Sequence, residues 1–273
     1  MTQKLGYLGP AGSYAEQAAI LYDLNAEKIP YPSIPTVAKA VEQSEVTAGL
    51  VPIENSIEGA VTYTLDLLIH DSELLISDEI VLPVHHNLLV SPGTQKRDIK
   101  IVYSHPQAFA QCRKYLEHQL PGVELIASLS TSAAVKRLPQ DTNAAAIGNT
   151  RAAEIYNAEI IDSQIEDNSN NMTRFVLLSE NDSHATGNDK TSICFTFNDD
   201  SPGLLYKVMG FIEEKGINLT KVESRPNKLE LGRYFFLLDL EGHRTEPEIA
   251  TTLSAINDEV SELKILGSYP QHG

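Results

Sequence analysis

The sequence predicts an α/β protein with largely parallel sheets, followed by a small α+β domain of βαββαβ order. Three observations carry that prediction. Short β-rich runs alternate with longer helical stretches through the first two thirds of the chain, as they do where helices cover parallel strands. Leu74 to Val90 departs from this alternation, being a β-rich stretch broken only by Pro83 that could cross between two lobes. Glu180 to Lys190 is polar, charged and without periodicity, the composition of an exposed linker, and the pattern resets after it.

Taken in order, strands are expected at Lys4 to Leu8 and Ala48 to Pro52, each followed by a helix, at Ser13 to Leu24 and Ala60 to Ile69. After the crossing stretch come a strand at Ile101 to Tyr103, a helix at Pro106 to Glu117 and a helix at Thr131 to Leu138. A strand at Ala144 to Ile147, a helix at Thr150 to Tyr156 and strands at Ile160 to Ile165 and Thr173 to Ser179 complete this part. The expected division is a first domain over residues 1–180, a linker over 181–190 and a second domain over 191–273. In the second domain the order is strand Thr191 to Phe197, helix Leu204 to Lys215, strands Leu219 to Ser224 and Tyr234 to Leu240, helix Glu246 to Asn257 and strand Leu263 to Tyr269. That order is ferredoxin-like. Its sheet leaves a face or an edge free, so pairing with a second copy is expected.

With 273 residues, 42% of them hydrophobic, the chain can bury one or two ordinary cores. Its 21 Lys and Arg against 37 Asp and Glu, a net charge of -16, exclude a general nucleic-acid or anionic-membrane binder. An anionic ligand must therefore be held by a local field. Cys112 and Cys194 lie in no metal-binding or disulfide spacing, so no metal is expected and a reducing cytoplasm fits best. No apolar run approaches the roughly 20 residues of a membrane helix, and the apolar segment that follows Met1 has no leader character.

Four loops and one helix start could carry chemistry. In "GPAGSYAEQAA", Gly9, Pro10 and Gly12 lie between a strand and a helix start, with Ser13 as cap and Glu16 as capping-box partner. Backbone N–H groups there can hold a carboxylate or phosphate, or the segment is simply a tight turn. In "VPIENSIEGAV", Glu54, Asn55 and Ser56 sit at the carboxyl end of a strand, where open α/β sheets bind ligands, although Asn55 or Ser56 could merely cap the turn. In "YSHPQAFAQC", Ser104 or His105 begins a helix on which Gln107 and Gln111 share a face. His85 and His86 point to opposite faces of a strand, so at most one can face a cleft, and Cys112 reads as a buried packing residue.

The fourth loop, "EDNSNNMTRFVLLS", brings a polar run into a buried strand, which is costly unless the run is exposed or bonded to a ligand. Arg174 offers a fork for a carboxylate, Phe175 an apolar wall and Thr173 a hydroxyl on the opposite strand face from Arg174. In the second domain, Ser201 can cap a helix beginning at Pro202, with Gly203 allowing close approach of a ligand or second subunit. Glu223, Ser224, Arg225 and Pro226 close the following strand.

In this order, "GYLGPAGSYAE", "VPIENSIEGAV", "YSHPQAFAQC", "STSAA", "AAIGNTRAAEIY" and "NMTRF", then "GLLY" and "ESRP", resemble the monofunctional prephenate dehydratase family with its C-terminal ACT regulatory domain. The resemblance spans nearly the whole chain. It implies a two-lobed catalytic domain similar to type II periplasmic binding proteins, with substrate between the lobes, and an ACT domain of ferredoxin-like fold. It also implies decarboxylating dehydration of prephenate to phenylpyruvate in phenylalanine biosynthesis. No cofactor is expected, because loss of the ring carboxylate and ring hydroxyl together creates an aromatic ring.

The resemblance places Thr173, Arg174 and Phe175 at the catalytic centre, with Glu54, Asn55, Ser56, Ser104 and Gln111 binding substrate. It further implies feedback inhibition by L-phenylalanine through Gly203, Leu204, Leu205, Glu223, Ser224, Arg225 and Pro226, and a homodimer or homotetramer built through ACT domains. Leu204 stands where the family's "GALV" pattern has a small residue, which would reshape the effector pocket. Two other readings are a cytoplasmic two-lobed sensor without catalysis and an arogenate dehydratase using the same chemistry.

Overall fold

The computed structural model describes residues 3–198, 201–227 and 233–272. The first part of the chain builds two sheets. It opens with β1 (Lys4–Leu8), α1 (Tyr14–Tyr22), β2 (Glu27–Tyr31), α2 (Ile34–Glu42), β3 (Ala48–Asn55), β4 (Gly59–Ala60) and α3 (Thr62–Asp66). It continues through β5 (Leu75–Pro83), β6 (Asn87–Val90), β7 (Ile101–Ser104), α4 (Pro106–Gln111), α5 (Arg113–Gln119) and β8 (Glu124–Ala127). It closes with α6 (Thr131–Arg137), β9 (Ala144–Gly148), α7 (Thr150–Tyr156), β10 (Glu159–Asp162) and β11 (Met172–Ser179).

The first sheet runs β2-β1-β3-β11-β5 with β4 paired to β3, and the second runs β10-β6-β9-β7-β8. Two segments therefore connect the lobes: one between β5 and β6, the other between β10 and β11. They are bonded to each other, Val84 N–H donating to the Asn171 carbonyl at 2.8 Å and Ile165 N–H to the His86 carbonyl at 2.9 Å. This is the two-lobed arrangement expected from the crossing stretch.

The second sheet shows why its strands read as unbroken apolar runs. On β9, Ala145 and Ile147 pack with Leu88, Val102, Cys112 and Leu116 on one face. Ala144 and Ala146 pack with Leu89, Tyr103, Val135 and Ala152 on the other. With helices on both faces, neither side of the strand can be polar.

The remainder of the chain forms a four-stranded antiparallel sheet from β12 (Asp189–Thr196), β13 (Leu219–Pro226), β14 (Tyr234–Glu241) and β15 (Glu262–Pro270), in the order β13-β14-β12-β15. Its helices, α8 (Leu204–Glu214) and α9 (Pro247–Glu259), place Val208, Ile212, Ile249, Leu253 and Ile256 against Ile193, Phe195, Leu238 and Leu240. This is the βαββαβ order read from the sequence. By compactness the chain divides into residues 1–61 with 80–175, and 62–79 with 176–273.

Several elements differ from expectation for identifiable reasons. β2 and β8 escape a search for buried alternation because each is a sheet edge with largely uncovered side chains. The helix expected from Ala60 starts at Thr62, since Gly59 and Ala60 pair back on Asn55 and Glu54, and it ends in a wide turn at Leu67–Asp71. The helix expected over Pro106 to Glu117 breaks at Cys112, whose φ of -115° and ψ of 21° are not helical. The strand expected to reach Ile165 stops at Asp162, ahead of Gln164 with its positive φ of 53°. The cap of α8 is Gly203, at φ 94°, and not Ser201, so that helix begins two residues later than the Ser-Pro pair suggested. β12 starts at Asp189, within the segment expected as linker.

Candidate active site

The carboxyl ends of β1 and β3, the starts of α1, α4 and α6 and the first residues of β11 surround a cleft of about 530 Å³. Both connecting segments contribute to its wall, through Val84 and His86 from one and Asn171 from the other. Of the residues expected from sequence, Asn55, Gln111, Thr173 and Phe175 line it. Thr173 and Phe175 do so together because they are two apart on one strand, which sends Arg174 to the other face. Arg174 lies there against Glu54, Nη2 to Oε2 at 3.0 Å, and neither is among the lining residues.

Ser56 and Ser104 also stand outside the lining. Ser56 clips the turn after β3 to the start of β11, its hydroxyl donating to the Asn170 carbonyl at 3.0 Å and accepting from Met172 N–H at 2.9 Å. Ser104 is fully buried and donates to the Ile147 carbonyl at 3.0 Å.

Asn55 is the best-determined group in the cleft. Its Oδ1 accepts from the backbone N–H groups of Ile57 and Glu58, each at 3.0 Å, which fixes which end of the amide is which. Its Nδ2 shares two protons among three acceptors, Asn171 Oδ1 at 2.8 Å, Thr173 Oγ1 at 2.8 Å and, more distantly, the Met172 carbonyl at 3.1 Å. Thr173 Oγ1 is thereby an acceptor toward Asn55, and its own proton has no hydrogen-bond acceptor among the described residues.

Sequence reasoning passed over Tyr14, Glu58, Leu129, Ser130, Thr131 and Asn171 as individual lining residues. All but Leu129 sat inside a segment that it had singled out, but only tertiary packing shows which side chains of a segment face inward. His85 and His86 do point apart, although from a connecting segment outside regular strand. His86 is 3% exposed and lines the cleft, whereas His85 Nδ1 meets Glu166 Oε1 at 2.8 Å. His105 lines the cleft and accepts from Gln107 N–H at 3.3 Å, capping α4.

The turn after β1 is built differently from a simple capping box. Ser13 caps α1 by accepting from Glu16 N–H at 3.2 Å, but the buried Glu16 carboxylate takes the Gly12 N–H and meets Arg151 Nη2 at 3.2 Å. Gly12 has a φ of 81°, and a Cβ there would meet Ser132 Oγ at 2.7 Å, so no larger residue fits. The described lining residues include no Lys or Arg. The starts of α1, α4 and α6, which line the cleft, bring helix N-terminal N–H groups to its wall. Burial pushes the Cys112 thiol far up, which agrees with a packing residue and not a nucleophile.

In the C-terminal part, Gly203, Leu204 and Leu205 occupy the start of α8, and Glu223 to Pro226 the end of the edge strand β13. Arg225 Nη1 lies 3.2 Å from Glu223 Oε1, and Glu223 Oε2 lies 3.1 Å from Lys221 Nζ. A Cβ added at Gly203 would meet nothing within 4 Å.

Comparison with known proteins agrees with this geometry. Residues 5–183 match the family model for prephenate dehydratase, and residues 192–258 match that for the ACT domain. The prephenate dehydratase of Methanocaldococcus jannaschii is 40% identical, the match covering 99% of each chain. The crystal structure of the prephenate dehydratase of Arthrobacter aurescens in complex with L-Phe superimposes with a TM-score of 0.91 at 34% identity, covering 98% of this chain and 90% of that one. GqqA, described as a novel type of quorum quenching acylase, gives a TM-score of 0.89 at 27% identity, with 99% and 98% covered. Family-model matches over both parts of the chain, together with a relative this similar along its whole length, show that the chain belongs to the prephenate dehydratase family and carries that family's ACT domain.

Proposed function

We propose that the cleft converts prephenate to phenylpyruvate with loss of water and carbon dioxide, Thr173 donating the hydrogen bond that stabilises the departing ring hydroxyl. The bond to the ring carboxylate breaks as carbon dioxide leaves, its electron pair enters the ring, and the carbon–oxygen bond to the hydroxyl breaks. The leaving oxygen takes up one proton and departs as water. The observation that carries this reading is the Asn55 amide donating into Thr173 Oγ1 at 2.8 Å, which turns the threonine proton toward donation. A threonine hydroxyl is a poor acid, so its contribution is electrostatic, with the proton supplied from solvent.

The substrate carboxylates are held by the N-terminal N–H groups of α1 and α6 more readily than by Arg174, which faces Glu54 on the opposite side of β11. Arg174 and Glu54 instead tie β3 to β11, which carry Asn55 and Thr173. Phe175, Val84 and Leu129 supply the apolar wall for the ring.

The ACT domain serves as the site of feedback inhibition by L-phenylalanine. The L-Phe complex of the Arthrobacter relative supports this, as does the open αL start of α8 at Gly203. Homodimers form through the C-terminal sheet, where β13 is an edge strand with Val222 57% exposed. The expected division into 1–180 and a C-terminal domain is kept, with the second domain opening at β12, Asp189, and a cytoplasmic location is expected for a biosynthetic enzyme of this kind. Among the described residues no helix is long and apolar enough to cross a membrane.

Incubation of the purified protein with prephenate at neutral pH, following phenylpyruvate with and without L-phenylalanine, tests both proposals. Turnover that phenylalanine suppresses is expected. A folded protein inert toward prephenate but active on arogenate would reassign the substrate, and inertness toward both would leave a binding protein.

A further inference from the structure

The hydrogen bonds behind the cleft fix the direction of every link from Thr173 to a histidine that the reaction itself does not call for. The backbone N–H groups of Ile57 and Glu58 orient Asn55, so Asn55 Nδ2 must donate to Asn171 Oδ1. Asn171, with no exposed surface, then has only its Nδ2 to offer Gln111 Oε1, at 3.0 Å. Gln111 in this orientation turns its own Nε2 to Glu58 Oε1 at 3.1 Å, a donor facing a carboxylate as required. Gln111 Oε1 is an acceptor, and His86 Nε2 lies 2.8 Å from it. That nitrogen must therefore carry a proton.

On the other side of the ring, His86 Nδ1 lies 2.9 Å from Tyr14 Oη. Burial raises the Tyr14 phenol well above its ordinary range, so it keeps its proton, which it shares between His86 Nδ1 and the His85 carbonyl 2.8 Å away. Burial lowers His86, outweighing the Gln111 hydrogen bond and the Glu166 charge, with His85 adding to the lowering. The Tyr14 and His86 rings stand edge to face, 5.9 Å apart, and the His86 backbone N–H donates to Glu166 Oε2 at 2.9 Å, which fixes the backbone that carries the ring.

We infer that His86 is a positioning residue that carries its proton on Nε2 and holds the Gln111 amide in the cleft wall beside Asn171. The inference rests on the cleft being the prephenate site, and it adds a residue that touches no reacting atom. Without the Nε2 donor, the Gln111 amide loses one of the two donors that orient it. Asn55 stays oriented by the Ile57 and Glu58 N–H groups, so the change falls on Gln111, which keeps only Asn171 Nδ2 on its oxygen and can turn its amide away from the cleft wall that it lines with Asn171.

The test uses the full chain. Glutamine places an amide N–H near the position of histidine Nε2, asparagine places one near Nδ1, and leucine supplies neither. His86→Leu and His86→Asn are expected to lower kcat tenfold or more while KM moves less than threefold, and His86→Gln to recover at least a third of the parental kcat. Long-range proton–nitrogen spectra of histidine-labelled parent protein, assigned through the signals absent from His86→Gln, should show a protonated Nε2 and an unprotonated Nδ1. Parental kcat in His86→Leu, or the opposite tautomer in the spectra, overturns the inference. The spectra do not depend on turnover. Failure of the parent to convert prephenate would therefore count against the functional reading, and a wrong tautomer against His86. If the leucine and asparagine variants do not fold, the spectra of the parent still decide.

Discussion

Replacing Thr173 with valine exchanges one hydroxyl for a methyl group of similar shape and leaves the surrounding amides in place. Asn55 Nδ2 loses the acceptor at 2.8 Å but keeps Asn171 Oδ1 at 2.8 Å and the Met172 carbonyl at 3.1 Å, so no buried donor is stranded. The cost in stability is accordingly that of one ordinary hydrogen bond, about 1 kcal/mol. The effect on catalysis is much larger, because the hydroxyl acts where charge develops: removing such a donor typically costs about 10²–10³ in kcat, or roughly 3–4 kcal/mol of barrier. Phenylpyruvate formation by the folded variant, corrected for the spontaneous reaction, reads the catalytic term, and urea unfolding reads the structural one. A folded Thr173→Val enzyme within about threefold of parental turnover would remove Thr173 from the chemistry, and with it the argument from Asn55.

Three further outcomes are expected. Lys190 Nζ lies 3.0 Å from Glu79 Oε1, both side chains being buried, so Lys190→Met should destabilise the protein in urea by about 3–5 kcal/mol. The double replacement with Glu79→Leu should regain much of this loss. Burial raises the Cys112 thiol far above its usual range and pushes Cys194 up to about 12, so a thiol reagent at neutral pH should label neither in the native state and both after denaturation. Asp189 is held below the usual carboxylate range: burial alone would raise it, but Thr186, the Gly187 N–H and the nearby His243 together outweigh that. Its contribution is present above the unfolded value of about pH 4 and is lost as pH falls through the folded value. Asp189→Asn should flatten that acid loss of stability, measured by thermal unfolding between about pH 5 and pH 3. An unchanged acid profile would show that other carboxylates dominate.

Much of the fold is legible in the sequence because its signals are local. The buried run Ala144–Gly148, the Ser13 cap and the βαββαβ pattern after residue 188 each depend on residues close together in the chain. Among the elements that escaped notice, β2 and β8 are edge strands with little burial and the break at Cys112 interrupts an otherwise helical pattern, whereas α2 was missed in spite of a local signal, the capping box at Ser33 and Thr36. The same division holds at the site. The segments around Asn55, Gln111 and Thr173 could be found one by one, each as a polar group at a strand end or helix start.

Their joint meaning could not be found that way. Asn55 and Thr173 are 118 residues apart in the chain, and Gln111 and Asn171 are 60 apart. Whether such groups donate to or accept from one another is set by the register of β3 against β11 and by the two segments that join the lobes. Arg174 shows the contrast within a single tripeptide, since strand alternation alone separates it from Thr173. Which of the two faces holds the cleft was decided only when β11 took its place beside β3. By itself the sequence determined the elements, the polar loops at strand ends and the absence of a metal-ligand or disulfide spacing. The tertiary structure decided which side chains face one another and in which direction each proton points, because a hydrogen bond across the cleft is a property of two chain segments and is written in neither.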